Sequence, residues 1–78
     1  MKTINLVTEA GNTLEVNYKI AQFENFFGIT INHGEDQRTE YFTEDKSHAE
    51  KILEICSANE VMIASLGDVI DEYIYLKI

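Results

Sequence analysis

The segment TLEVNYKI, Thr13 to Ile20, alternates without a break. Leu14, Val16, Tyr18 and Ile20 fall on one side, and Glu15, Asn17 and Lys19 on the other. An extended chain turns successive side chains to opposite faces, so this pattern specifies a strand with one dry face and one wet face. A single such strand is not stable alone. The rest of the chain must supply partners along its edges and a cover for the dry face.

Partners are present on both sides. In KTINLVT, Ile4 and Leu6 point one way and Asn5 and Val7 the other. Glu9-Ala10-Gly11-Asn12 reads as a turn, because Gly and Asn tolerate positive φ. The two runs therefore form an antiparallel hairpin. AQFENF is irregular and reads as a loop or a bulged entry. FGITINH then sets Phe27, Ile29 and Ile31 against Gly28, Thr30 and Asn32. Gly34 to Gln37 is a polar turn, and RTEYFT, Arg38 to Thr43, is a short last strand. The expectation is a meander of three to four strands over residues 2–43.

The period changes after Thr43. Ala49, Ile52, Leu53 and Cys56 stand at i, i+3, i+4 and i+7, a helical stripe spanning residues 44–59. Thr43 or Ser47 caps its start, the latter as a capping box with Glu50, and Asn59 stops it. A second stripe comes next in SLGDVIDEYIYL: Leu66, Val69, Ile70, Tyr73 and Ile74. Ser65 and Asp68 fit another capping box, so a helix is expected over 65–76, with a final strand in EYIYLKI as the alternative. Two amphipathic helices on one face of an antiparallel sheet give a single α+β domain, residues 1–78.

Charge narrows the function classes. Fourteen acids against six bases give −8, and residues 44–72 hold eight acids against two lysines. Such a surface repels nucleic-acid phosphates and anionic membranes and favours a basic protein partner. No apolar run approaches the roughly 20 residues of a membrane span. A lone cysteine and no signal peptide fit a cytoplasmic location.

From about Phe27 to Ile74 the chain resembles a family of short, uncharacterised Firmicute proteins, a domain of unknown function. The resemblance rests on FFGITI, on FTEDKSHAEKILEIC and on ASLGDVIDEYI, where Leu66, Asp68, Val69, Ile70 and Tyr73 match positions typical of the family. Members often carry a proline before that Leu; here Ile63-Ala64-Ser65 precedes it. The resemblance implies strands followed by two helices. It implies no activity, cofactor or catalytic residue.

The residues themselves suggest no enzyme. Asp68 and Glu72 share a helix face, but a hard cation needs more oxygen ligands than two, and Asp68 also suits a helix start. His33 and His48 lack metal-ligand spacing. Cys56 completes an apolar stripe, where Cys acts as a small buried hydrophobe rather than a nucleophile. No catalytic residue, metal or cofactor is expected. Two features suggest binding instead. Asp71 and Glu72, with Asp68, form an acidic helix face for a basic partner. Phe26-Phe27 and Tyr41-Phe42 are adjacent aromatic pairs, and in a regular strand one of each pair must face away from the helices. Phe26 and Phe42 are the expected outward pair, and a self-association patch would give a homodimer. The functional expectation is a small interaction module. The alternative is an acidic nucleic-acid mimic that inhibits a DNA- or RNA-binding enzyme.

Overall fold

The computed structural model describes residues 2–73; the side chain of Tyr73 lies outside that description. Four strands, β1 (Lys2–Val7), β2 (Thr13–Phe23), β3 (Phe26–His33) and β4 (Asp36–Thr43), precede helix α1 (Lys46–Ala58). A 3-10 turn at Ile63–Ser65 leads into helix α2 (Leu66–Tyr73). The strands form an antiparallel meander in the order β1-β2-β3-β4. The fold is thus the α+β arrangement expected, with four strands and C-terminal helices.

Register explains the core. Ile4 faces Val16, Tyr18 faces Ile31 and Ile20 faces Ile29 across neighbouring strands. Directly opposed residues share a face, so the apolar half of each alternation joins one surface. Ile52, Leu53 and Cys56 of α1 and Leu66 and Ile70 of α2 close over it, and Val16, Tyr18, Ile29, Ile31, Cys56 and Leu66 are fully buried. The buried residues of α1 are Ala49, Ile52, Leu53 and Cys56, the stripe read from the spacing.

The turns differ from expectation in instructive ways. β2 runs through AQF, and the supposed loop is a two-residue connection, Glu24-Asn25, between paired Phe23 and Phe26. Glu24 takes φ 54° there. The next hairpin repeats the device with Gly34 at φ 57° in the same place, between paired His33 and Asp36. The cap of α1 is Asp45, whose carboxylate accepts from the Ser47 N–H at 2.9 Å, rather than Thr43 or Ser47. Thr43 supports it one step back, accepting from the Asp45 N–H at 3.0 Å.

Asn59 does end α1, and the chain leaves the helix through a Schellman closure. Glu60 N–H donates to Ser57 O at 3.3 Å and Val61 N–H to Cys56 O at 3.0 Å, with Glu60 at φ 53°. Val61 is thereby turned into the core. The Tyr18 hydroxyl donates to the Val61 carbonyl at 2.8 Å and ties this closure to the middle of β2. At α2 the expected capping box does not form, because the 3-10 turn already carries Ser65 and leaves no cap position. Asp68 still occupies the first turn, where a carboxylate suits the helix dipole. The alternative strand at 72–78 does not begin where expected, since Glu72 and Tyr73 belong to α2; the expected extension of this helix to residue 76, Ile74 of its stripe and the rest of that alternative lie outside the described residues beyond Tyr73.

Candidate functional site

Among the described residues, the helices cover one face of the sheet and leave the other bare. Most of the bare face is a polar lattice between strands. Thr3 donates to Asn17 at 2.7 Å, the Thr30 and Thr39 hydroxyls meet at 2.7 Å, and Asn32 donates to Gln37 at 3.2 Å. Thr30, paired with Lys19 on one side and Thr39 on the other, is itself buried. Toward the β2–β3 turn the lattice gives way to aromatics. Phe23 is 62 % exposed, Phe26 46 % and Tyr41 47 %. The Phe23 and Tyr41 rings lie 6.1 Å apart at 50°, within the range of favourable aromatic pairs. Gly28, paired with both Ala21 and Tyr41, keeps the floor between them low.

Of the two aromatics expected to face outward, Phe26 does. Phe42 does not. It packs against the core cluster and meets His48 edge-on, with centroids 5.9 Å apart. Tyr41 takes the outward place. The cause is the register of β4: Ile31 pairs with Arg38 and Ile29 with Glu40, so Arg38, Glu40 and then Phe42 turn toward the helices. A bulge opposite Phe27 and Gly28 leaves Phe42 without a direct partner. Phe23, the most exposed of the three, lies in the segment that reads as a loop by sequence. A two-residue turn at Glu24-Asn25 is the signal that would place it beside Phe26.

The inward charges of β4 have a structural use. Arg38 and Glu40 pair at 3.1 Å, and Arg38 also donates to the Ile63 carbonyl at 3.1 Å. One guanidinium therefore holds the 3-10 turn against the edge of the sheet. Beside it a groove of about 470 Å³ runs between β4 and α2. Asp68 and Asp71 line it, Glu72 stands next to them, and all three acids are exposed.

The remaining chemistry-bearing side chains serve packing. Burial pushes the Cys56 thiol up to about 11, so it is a neutral thiol at ordinary pH. Tyr18 is pushed up to about 12, chiefly by burial and further by Cys56 and Glu60. His48 Nδ1 lies 3.2 Å from the Thr43 hydroxyl, and its buried Nε2 has no hydrogen-bond partner among the described residues. His33 ends β3. Among the described residues no three His, Cys, Asp or Glu side chains gather as a metal site would need. No described helix is long and apolar enough to cross a membrane.

A four-stranded meander with two helices on one face and an aromatic patch on the other defines a two-layer α+β domain with one uncovered sheet surface. The chain belongs to a family of unknown function, DUF6514, whose sequence profile matches residues 1–76. That span takes in the first hairpin as well as the strands and helices from Phe27 onward. No curated protein and no solved structure matches the chain.

Proposed function

We propose that this protein is a non-catalytic interaction module that binds another protein chain through the bare sheet face, in the simplest case a second copy of itself. The observation that carries the reading is the exposed aromatic cluster of Phe23, Phe26 and Tyr41 on a face no helix covers. Clustered exposed aromatics beside a polar surface are a common mark of a protein contact. Charge favours the same side. Most of the acidic excess lies in residues 44–72, which build the opposite layer, so two copies meeting sheet to sheet keep their helices apart. Three side chains are a small part of a standard interface of about 1,600 Å². A two-fold dimer with Kd on the order of 100 µM is expected. Light scattering across a concentration series tests it. Mass should rise with concentration, and Phe23→Ser with Tyr41→Ser should abolish the rise. A strict monomer at millimolar concentration counts against the dimer.

A second reading comes from the exposure of Asp68, Asp71 and Glu72 on α2. An acidic inhibitor would present such carboxylates to a basic nucleic-acid groove. Its affinity would then fall steeply with salt. Pull-downs at low and high salt distinguish the two readings, since an aromatic contact persists and a phosphate mimic is released.

A further inference from the structure

A second feature of the structure is the edge of β4, which borders the aromatic patch at Tyr41. Among the described residues, β4 is the last strand of the sheet and pairs only with β3. None of the backbone hydrogen bonds outside the sheet and helices reaches it among the described residues. From Asp36 to Tyr41, before the bulge, about 20 Å of strand edge presents free N–H and C=O groups. This edge forms one wall of the groove and α2 forms the other, with Phe42 and Ile70 supplying apolar surface and Asp68 and Asp71 on the rim. A groove between a free strand edge and a helix is the geometry in which an extended peptide adds as a further strand.

Its charge says what kind of peptide. The one cation lining the groove among the described residues, Arg38, is neutralised by Glu40 and engaged with Ile63, whereas Asp68 and Asp71 have no cationic partner among them. A second copy of this acidic chain would bring carboxylates to carboxylates, which disfavours edge-to-edge self-pairing. We infer that the groove between β4 and α2 binds an extended, lysine- or arginine-bearing peptide segment of another protein. The segment adds to the β4 edge, sets apolar side chains on Phe42 and Ile70, and sets basic ones at Asp68 and Asp71. The groove borders the bare-face patch at Tyr41, which lines both, so the variants that test it are placed on α2 and leave Phe23, Phe26 and Tyr41 intact.

The test is an amide-shift titration of the full chain with a capped octapeptide of repeating Val-Ser-Lys-Ser, which sets Val and Lys on the same strand face, toward α2. A fully N-methylated peptide of the same side chains serves as control. It keeps the charge but cannot pair along an edge. Shifts should concentrate at residues 38–43 and 66–71, and the N-methylated peptide should bind at least about tenfold more weakly. Asp68→Asn with Asp71→Asn should weaken binding about tenfold at low salt, while removing the same charge from α1 and its entry by Glu44→Gln with Glu50→Gln should cost less than about threefold. Folding of each variant is read from the same spectra. Equal binding of the two peptides, equal loss in both double variants, shifts centred on Phe23, or no binding at millimolar peptide would each overturn the proposal.

Discussion

The two faces of the sheet are made by the same strands and held to different standards. On the covered face, Val16, Tyr18, Ile29 and Ile31 are fully buried under α1 and α2. On the bare face, residues one position away form a hydrogen-bonded polar lattice at one end and an exposed aromatic cluster at the other. Strand alternation makes the two faces separable. A substitution on one face need not disturb the other. The covered face holds the fold together, and the bare face is the one on which the proposed contact rests.

The largest effect should come from truncating the covered face. Ile31→Ala removes a fully buried side chain between Tyr18 and the helices and should cost about 3–4 kcal/mol. That is a large part of the roughly 4–10 kcal/mol expected for a domain of this size. Phe26→Ser on the bare face should stay within about 0.5 kcal/mol. Urea unfolding of the two variants measures the contrast directly. Equal losses would mean that the bare face also carries the fold.

One residue should break the rule. Gly28 belongs to the bare face by register, yet a Cβ there would collide with the Glu40 carbonyl and the Tyr41 backbone of the neighbouring strand. The bulge brings β4 in over that position, and backbone cannot move aside as a flexible side chain can. Gly28→Ala should therefore cost about 3 kcal/mol, close to a core truncation. A loss under about 1 kcal/mol would show that the bulge relaxes, and it would free the aromatic patch from dependence on this glycine.

Much of this division is legible in the chain. The alternations of β2 and β3, the stripe of α1 and the buried thiol at Cys56 come from spacing alone, because each element's own period declares its dry side. The outward aromatics are harder. β4 turns Arg38 and Glu40 inward, so its apolar pattern does not reveal its parity, and Phe42 is as eligible by pattern as Tyr41. Counting back from a two-residue turn at Gly34-Glu35 settles it, but that turn length is a property of backbone geometry rather than composition. The cap at Asp45 and the 3-10 entry to α2 escape the pattern for a similar reason. Several polar residues compete at each helix start, and tertiary packing chooses among them.

pH probes the covered face without mutation. Tyr18 has its pKa raised from 10.0 to about 12, and Cys56 from 9.0 to about 11. Both are neutral when protonated, and unfolding lets each ionise at its ordinary value. Their stabilising contribution is complete below pH 9 and is lost as pH rises, between about 9 and 11 for Cys56 and between about 10 and 12 for Tyr18. The loss should reach roughly 2 kcal/mol per group. Tyr18→Phe removes the hydroxyl bonded to the Val61 carbonyl and should cost about 1–2 kcal/mol at neutral pH. In that variant the alkaline decline should still begin near pH 9 but end near 11. A decline unchanged in width would assign the alkaline transition to other groups.

The smallest effect compares the two acidic residues held at positive φ. Glu60 closes α1 over the core at φ 53°, and Glu24 turns β2 into β3 beside the aromatic patch at φ 54°. Each conformation costs about 1–2 kcal/mol in a backbone region that glycine enters freely. Glycine also loses more freedom on folding, so the net gain from either substitution is about 0.5–1 kcal/mol. Glu60→Gly should gain the more. Its Schellman bonds and the inward turn of Val61 fix that geometry. Glu24 sits in an exposed two-residue turn that can relax. Thermal melts of the two variants rank them. If Glu24→Gly proved the more stabilising, strain would be stored beside the bare face, and the aromatic patch would be the part of the molecule held under constraint.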